Sequence, residues 1–258
     1  MHGNVFHAPL SKPKRILDVG CGTGAVTLEL ARKHPEAEVY GVDIAACPLL
    51  TSGVDLPSNL HFVQGDIRKL YQAGAEPFEA GSIDYIFARL LILGVTDWPG
   101  YVALLTSLLK PDGYLELQEM DIEFFLPSDP ATPISTDWPY MQALRTDSLA
   151  LGLNTLAGRD LETYLSNNSS LTEVKSEVYR WPITAQGNKA NEERMGRYGD
   201  QAYVGFWKLM LDKISGPRRS EAELDELTRA VEDSKGREIG AGTYMRFFVA
   251  WAKTRQGA

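Results

Sequence analysis

Apolar runs and amphipathic stretches alternate along the first 120 residues of the chain. Short, mostly apolar runs are typical of strands buried in a parallel sheet, because such strands are covered on both faces. The intervening stretches repeat apolar residues at helical spacing, as over residues 25–33, where His34 and Pro35 end the pattern. The pattern predicts strands over residues 15–19, 38–43, 60–64, 83–88 and 114–119, and helices over residues 25–33, 45–52 and 99–109.

The second half of the chain is predicted to be mainly helical. Ser220 and Glu223 form a capping-box pattern that starts a helix reaching about residue 234. Further helices are expected over residues 138–151, 159–165 and 189–214, the last as one long helix or two, and strands over residues 171–181 and 244–251.

Strands and helices that follow one another at short intervals predict right-handed crossovers and therefore a parallel sheet. We expect an α/β fold with a Rossmann-like, seven-stranded, mostly parallel sheet that carries helices on both faces. Residues 184–240 are too long for an ordinary connection and are interpreted as a helical lid insertion before the last strand. The prediction is a single domain over residues 1–258, with its ligand-binding half at residues 14–125.

Composition narrows the class of partner. The formal net charge is −8 and the pI is about 5.1, which argues against nucleic acid or an anionic membrane, because both need a cationic surface. No apolar run reaches the roughly 20 residues of a membrane span, and the first residues lack the apolar stretch of a signal peptide. Two cysteines fit a reducing compartment. We therefore expect a cytoplasmic or nuclear protein that acts on a small molecule, without a metal site and with the oligomeric state left open.

A glycine-rich turn follows the first predicted strand. Gly20, Gly22 and Gly24 allow a sharp turn that brings bare backbone N–H groups against a ligand. By itself the turn is weak evidence, since Gly20, Gly22 and Ala25 also satisfy the dinucleotide-binding pattern.

Three acidic residues make the prediction more specific. Asp18, at the end of the first strand, is suited to the positive amino group of a methionine moiety and would repel a pyrophosphate. Asp43 ends the second strand, where an acid accepts both ribose hydroxyls, although this feature fits NAD as well. Asp66 follows the third strand and is suited to an adenine amine, with Ile44 and Ile67 on either side of the ring.

Each acid alone also fits a cap or a turn residue. Taken in this order, the three indicate a cationic ligand that contains adenosine and no phosphates. S-adenosylmethionine (SAM) is such a ligand.

The sequence resembles a known family at these positions. ILDVGCGTG, the acid in VYGVDIA, GDI after the third strand and LLKPDGYLELQE are similar to motifs I to IV of class I SAM-dependent methyltransferases. AEVYGVDIA, IDYIFARLL, TDWP and LKPDGYLELQEMD resemble, more closely, the LaeA-like methyltransferase-domain proteins of fungal secondary metabolism. The resemblance implies that the methionine end of SAM is held by Asp18, Gly20, Gly22 and Gly24, the ribose by Asp43 and the adenine by Asp66 and Ile67, with Ala88 and Arg89 on the methyl side.

Two features depart from the family pattern. Only about 14 residues precede motif I, so we expect that the lid comes from elsewhere or that the site is more open. Asp112 stands where the turn usually has glycine, which costs little if φ is negative there.

The candidates for catalysis are few. Methyl transfer mainly requires a positioned nucleophile and the exclusion of water. All four histidines lie in the first 61 residues. We predict that none lies at the substrate pocket beyond the fourth and fifth strands, which excludes a histidine base from the far half of the sheet. Arg89, directly after the fourth strand, must be paired or face a site. Glu119 and Asp121, after the fifth strand, are the other predicted catalytic residues, with a solvated strand end as the alternative.

The favoured function is SAM-dependent O- or N-methylation of a small molecule, and the resemblance implies that this molecule is a secondary metabolite. A SAM-binding regulatory partner of LaeA type and a SAM-dependent enzyme that transfers no methyl group are the alternatives. An NAD-dependent oxidoreductase fits only the glycine pattern, and Asp18 argues against it.

Overall fold

Seven strands and seven α-helices make up the described part of the chain. The structure, a computed structural model, describes residues 5–184 and 190–256. The strands are β1 (Arg15–Val19), β2 (Glu38–Asp43), β3 (Leu60–Gln64), β4 (Ile83–Arg89), β5 (Leu109–Phe125), β6 (Leu171–Pro182) and β7 (Tyr244–Thr254). The helices are α1 (Ala25–Lys33), α2 (Ile67–Gln72), α3 (Trp98–Leu108), α4 (Pro139–Ala150), α5 (Ala157–Ser166), α6 (Ala190–Ile214) and α7 (Glu221–Arg237), and a short 3-10 helix covers Pro48–Thr51.

The strands form one sheet in the order β3-β2-β1-β4-β5-β7-β6. The four pairs from β3 to β5 are parallel, which confirms the predicted Rossmann-like α/β fold. The strand order reverses between β1 and β4, so right-handed crossovers carry the helices that follow β1 and β4 to opposite faces. A crevice opens at the carboxyl ends of the strands at such a reversal, and ligands of open α/β sheets bind there.

The predicted elements are largely confirmed. The segment after β2 forms only the 3-10 helix Pro48–Thr51 instead of a helix over residues 45–52. Helix α2 was not predicted, because its six residues are too few to show a periodic pattern. The start predicted for α6 at Lys189 falls outside the described residues. Helices α6 and α7 do lie between β6 and β7, as expected for a helical insertion before the last strand.

The condition stated for Asp112, a negative φ, is not met. Its φ is +63°, in the left-handed region that favours glycine. The register jumps from Ile83 opposite Leu109 to Tyr85 opposite Tyr114, so residues 110–113 are an irregular insertion in β5. Asp tolerates this conformation better than most residues, and its carboxylate accepts hydrogen bonds from Lys253 (2.6 Å) and Gln256 (2.8 Å).

The chain divides into two compact units. Unit 1 comprises residues 1–119, 160–177 and 249–258, and unit 2 comprises residues 120–159 and 178–248. The core of unit 1 is the apolar centre of β1 and β4, where Ile16, Leu17, Tyr85 and Ile86 are fully buried.

The core of unit 2 is aromatic. Phe124, Trp138, Tyr140, Tyr203 and Trp207 contact one another with ring centroids 5.2 to 6.3 Å apart. Their tight packing makes Trp207 a core residue of α6. Among the described helices, α6 included, none is both long and apolar enough to cross a membrane.

Candidate functional site

The turn after β1 has the conformation that its glycines predict. Gly20, Gly22 and Gly24 have φ values of 70°, 51° and 76°, which L side chains rarely adopt. A Cβ on Gly24 would come within 2.7 Å of Cys47 Sγ and of the Phe62 ring, whereas a Cβ on Gly22 would meet no atom within 4 Å. Gly24 is therefore needed for packing, and Gly22 lies at an open surface that a ligand can approach.

Asp43 joins the end of β2 to this turn. One carboxylate oxygen accepts the backbone N–H of Gly22 at 2.8 Å, and the other accepts that of Ala45 at 2.9 Å. Each oxygen keeps a second lone pair for a further donor. The pair of bonds fixes the glycine turn against β2, so that Asp43 is both a support of the turn and a free acceptor beside it.

A cavity of about 150 Å³ opens beside Asp43. Its floor is β2 and β3, through Gly41, Phe62 and Gln64, and its wall is the segment after β2. Asp43 is the one residue of the predicted cofactor set that lines it. The other lining residues were not among the predicted cofactor-binding residues. Three of them, Cys21, Gly41 and Ala45, lie within the motifs ILDVGCGTG and VYGVDIA. The rest come from the segment after β2 or from β3, where no motif marks them: Ala46, Cys47, Leu50, Phe62, Val63 and Gln64.

Asp18 is a buried carboxyl group at the strand reversal. Burial raises its pKa to about 6, although a hydrogen bond from Thr27 (2.6 Å) and the positive charge of Arg89 act in the opposite direction. Burial lowers the pKa of Arg89, and the charges of Asp18 and Glu29 oppose that shift. Arg89, predicted as a catalytic residue, is thus close enough to Asp18 for its charge to favour the ionised form of that carboxyl group.

The predicted adenine-side residues have mixed environments. Asp66 is the N-cap of α2, and its side chain accepts from the backbone and side chain of Arg68, which lowers the pKa of Asp66. Ile67 is buried, whereas Ile44 is 76% exposed and is available to a flat apolar ligand. Tyr101 of α3 was not predicted. Burial raises its pKa, and the charges of Arg68, Asp66 and Asp43 also act on it, so Tyr101 lies at the same end of unit 1 as these residues.

Ala88 and Glu119 lie inside the sheet. Ala88 is buried, with Val19 and Leu117 as its register partners. Glu119 is also buried and accepts the backbone N–H of Leu91. Because the Leu91 side chain lies where a Cβ of Gly20 would be, Glu119 positions the loop that covers the glycine turn.

The predicted end of β5 at Glu119 is wrong, because the strand continues to Phe125. Asp121, Glu123 and their neighbours are buried strand residues and form no solvated strand end. Arg159 binds both carboxylates, with a distance of 2.6 Å to Asp121, and Arg145 also contacts Glu123. Burial raises the pKa of Asp121 to about 6. These bonds commit Asp121 to holding the start of α5, which disfavours a catalytic role.

One histidine packs against the far half of the sheet, which the prediction about a histidine base did not anticipate. His7 lies against β5, where its ring nitrogen is 3.3 Å from Glu116, and it contacts Glu177 of β6 and Trp251 of β7. The backbone N–H groups of His7 and Ala8 each donate to Glu116 at 2.9 Å. The buried Glu116 carboxylate thus holds the segment that precedes β1 on the sheet.

Comparison with known families gives a match over more than half of the chain. The sequence profile described as a methyltransferase domain matches residues 4–167. This range includes the glycine turn, Asp18, Asp43 and the cavity beside it.

Two curated relatives illustrate the similarity. Trans-aconitate 2-methyltransferase of Deinococcus radiodurans is 36% identical over 104 residues, which are 40% of this chain and 37% of that protein. The secondary metabolism regulator laeA of Coprinopsis cinerea is 37% identical over 112 residues, 43% of this chain and 26% of that protein. The chain therefore spans well under half the length of these two curated relatives.

A solved structure shares the fold. Phosphoethanolamine N-methyltransferase 2 of Haemonchus contortus, in complex with phosphomonomethylethanolamine and S-adenosylhomocysteine, has a TM-score of 0.54 and 15% sequence identity. The match covers 96% of this chain and 50% of that protein.

Proposed function

Because this chain belongs to the methyltransferase domain family, we propose that it transfers the methyl group of SAM to an oxygen or nitrogen atom of a small molecule. The observation that carries the proposal is the arrangement at the strand reversal. Three left-handed glycines, the buried Asp18 and the two-sided acceptor Asp43 meet at the carboxyl ends of β1 and β2.

These residues fit SAM by their chemistry. Asp18 is suited to the amino group of the methionine moiety, because a cation there compensates a carboxylate that is otherwise costly to bury. The second lone pairs of Asp43 are suited to the ribose hydroxyls. SAM supplies a methyl group activated by the sulfonium. The chain's part is to bind the cofactor, orient the acceptor and exclude water.

A secondary metabolite is the proposed acceptor. The relatives include the secondary metabolism regulator laeA and trans-aconitate 2-methyltransferase. Their names refer to secondary metabolism and to a small acceptor, which supports a small molecule over a macromolecule as the acceptor of this chain. The net charge of −8 supports the same choice. The free cysteines Cys21 and Cys47 support a cytoplasmic or nuclear location.

The first experiment is calorimetric titration with SAM, S-adenosylhomocysteine and NAD in parallel, followed by mass analysis of candidate acceptors incubated with protein and SAM. We expect micromolar binding of the first two ligands, none of NAD, and a product heavier by one methyl group. Binding of NAD alone would contradict the proposal. An altered product without added mass would favour a SAM-dependent reaction that transfers no methyl group.

A SAM-binding regulatory partner is the second candidate. Helix α6 carries large apolar side chains that are exposed, namely Met195, Tyr198, Phe206 and Leu209, and exposed apolar surface of this kind favours contact with another protein. This candidate is favoured if SAM binds and no acceptor screened gains mass.

The affinity for SAM should depend on pH through Asp18. With a pKa of about 6, the ionised fraction of Asp18 rises from about one tenth at pH 5 to about nine tenths at pH 7. Since the cationic ligand favours the ionised form, we expect affinity to rise about tenfold over this range, measured by calorimetry at several pH values. Asp18→Asn should bind more weakly at pH 7 and lose this dependence. A wild-type affinity that is flat or falls with pH would remove Asp18 from the amino-group site.

A further inference from the structure

A second cavity lies wholly within unit 2, against β6 and the first half of α6. Its volume is about 470 Å³, and it is lined by Trp181 of β6 and by five residues of α6: Arg194, Met195, Arg197, Tyr198 and Gln201. Pockets for small organic ligands are typically about 300–1,000 Å³, so its size suits such a ligand. None of these six residues lines the cavity beside Asp43.

The polar groups of this cavity select for an anion. Arg194 and Arg197 are cations, the Gln201 amide and the Trp181 indole add N–H donors, and none of the six described lining residues carries a carboxylate. Arg197 is paired with Glu193 one helical turn away. Among the described side chains, those of residues 5–184 and 193–256, Arg194 forms no ion pair. The chain as a whole has a net charge of −8, whereas the two arginines make this cavity wall locally positive.

The rest of the wall is apolar and flat. Phe247 packs beside the Trp181 ring, with centroids 5.2 Å apart, and fixes its orientation. Tyr198 is 69% exposed and Met195 is 39% exposed. Aromatic rings stack on flat ligands, and a methionine side chain adapts to their edges.

From this combination we infer that the cavity binds a carboxylate joined to a flat, aromatic body. The guanidinium of Arg194 binds the carboxylate in the two-pronged geometry that arginine favours, and the body stacks between Trp181 and Tyr198. This inference does not rest on methyl transfer, because its residues and its test are independent of SAM.

The test is calorimetric titration of the full chain, without SAM, with three probes that share a naphthalene ring and differ in its polar substituent. These are 2-naphthoate, its neutral amide 2-naphthamide and 2-naphthyl phosphate. We expect 2-naphthoate to bind at least tenfold more tightly than the amide, as for a charge-assisted hydrogen bond in place of a neutral one. Equal binding of the acid and the amide would overturn the anion site, and tighter binding of the phosphate would overturn the choice of a carboxylate.

Matched variants locate the binding in this cavity. Arg194→Gln should weaken 2-naphthoate about tenfold or more and leave 2-naphthamide unchanged, whereas Tyr198→Ala should weaken both probes. Arg229→Gln is the control, since Arg229 is an exposed arginine on α7 outside the cavity. If Arg194→Gln binds 2-naphthoate as well as Arg229→Gln does, the proposed site is wrong. All of these side chains are exposed, so the variants are expected to fold.

Discussion

Replacing Glu116 by alanine is expected to lower the free energy of unfolding by about 3–5 kcal/mol, the usual cost of removing one member of a buried charged network. The carboxylate is fully buried. It accepts from the backbone N–H groups of His7 and Ala8, from the Tyr85 hydroxyl at 2.9 Å and from the Gln118 amide at 2.7 Å. Alanine would leave these donors buried without an acceptor, and each such donor costs about 1–3 kcal/mol.

This loss would be a large share of the roughly 5–15 kcal/mol that stabilises a typical domain. Urea denaturation, monitored by circular dichroism, measures this loss of free energy of unfolding. Glu36→Ala is the matched control, because Glu36 is an exposed acid of unit 1 whose removal should change stability by under about 0.5 kcal/mol. Tyr85→Phe removes only one of the donors, so its free energy of unfolding should lie between those of the other two variants. A midpoint for Glu116→Ala equal to that of Glu36→Ala would show that Glu116 does not hold the segment before β1.

Replacing Asp43 by alanine is expected to weaken the binding of SAM and S-adenosylhomocysteine by ten- to a hundredfold. Hydrogen bonds to a charged group contribute about 1.5–3 kcal/mol, which corresponds to that range of affinity. A second effect adds to the first, because the same carboxylate holds the N–H groups of Gly22 and Ala45. Without it, the glycine turn loses its support against β2.

Calorimetric titration checks this expectation, and two variants separate the causes. Asp55→Ala removes an exposed acid of the same β2–β3 connection and should bind like the wild type. Asp43→Asn keeps one carbonyl acceptor for the turn and removes the charge, so it should bind with intermediate affinity. An Asp43→Ala protein that folds and binds SAM within threefold of the wild type would exclude Asp43 from the cofactor site.

The regular part of unit 1 could be predicted from the sequence. Strands β1 to β4 are short apolar runs that local patterning identifies, and the order of Gly20, Gly22 and Gly24 after β1 is a local signal as well. The positions of Asp18 and Asp43 at strand ends also follow from counting along the chain. Sequence patterning succeeds here because strands covered on both faces must be apolar and because a tight turn requires glycine.

Other features depend on residues far apart in sequence. His7 and Glu116 are 109 positions apart, and no local pattern brings them together. Acids such as Asp121 and Glu123 are usually found at a surface, and only the pairing of these two with Arg159 and Arg145 allows them to be buried. Asp112 adopts a positive φ because an insertion in β5 demands it.

The sequence by itself therefore determined the α/β frame, the glycine turn and the acids at the strand ends, since each follows from neighbouring residues. Tertiary structure alone decided which charges are buried, which residues line the cavity beside Asp43, and that Trp181 joins Arg194 and Tyr198 around a second cavity. The physical reason is that burial and cavity shape arise when separate segments pack, so the environment of a side chain depends on partners that its own segment does not encode.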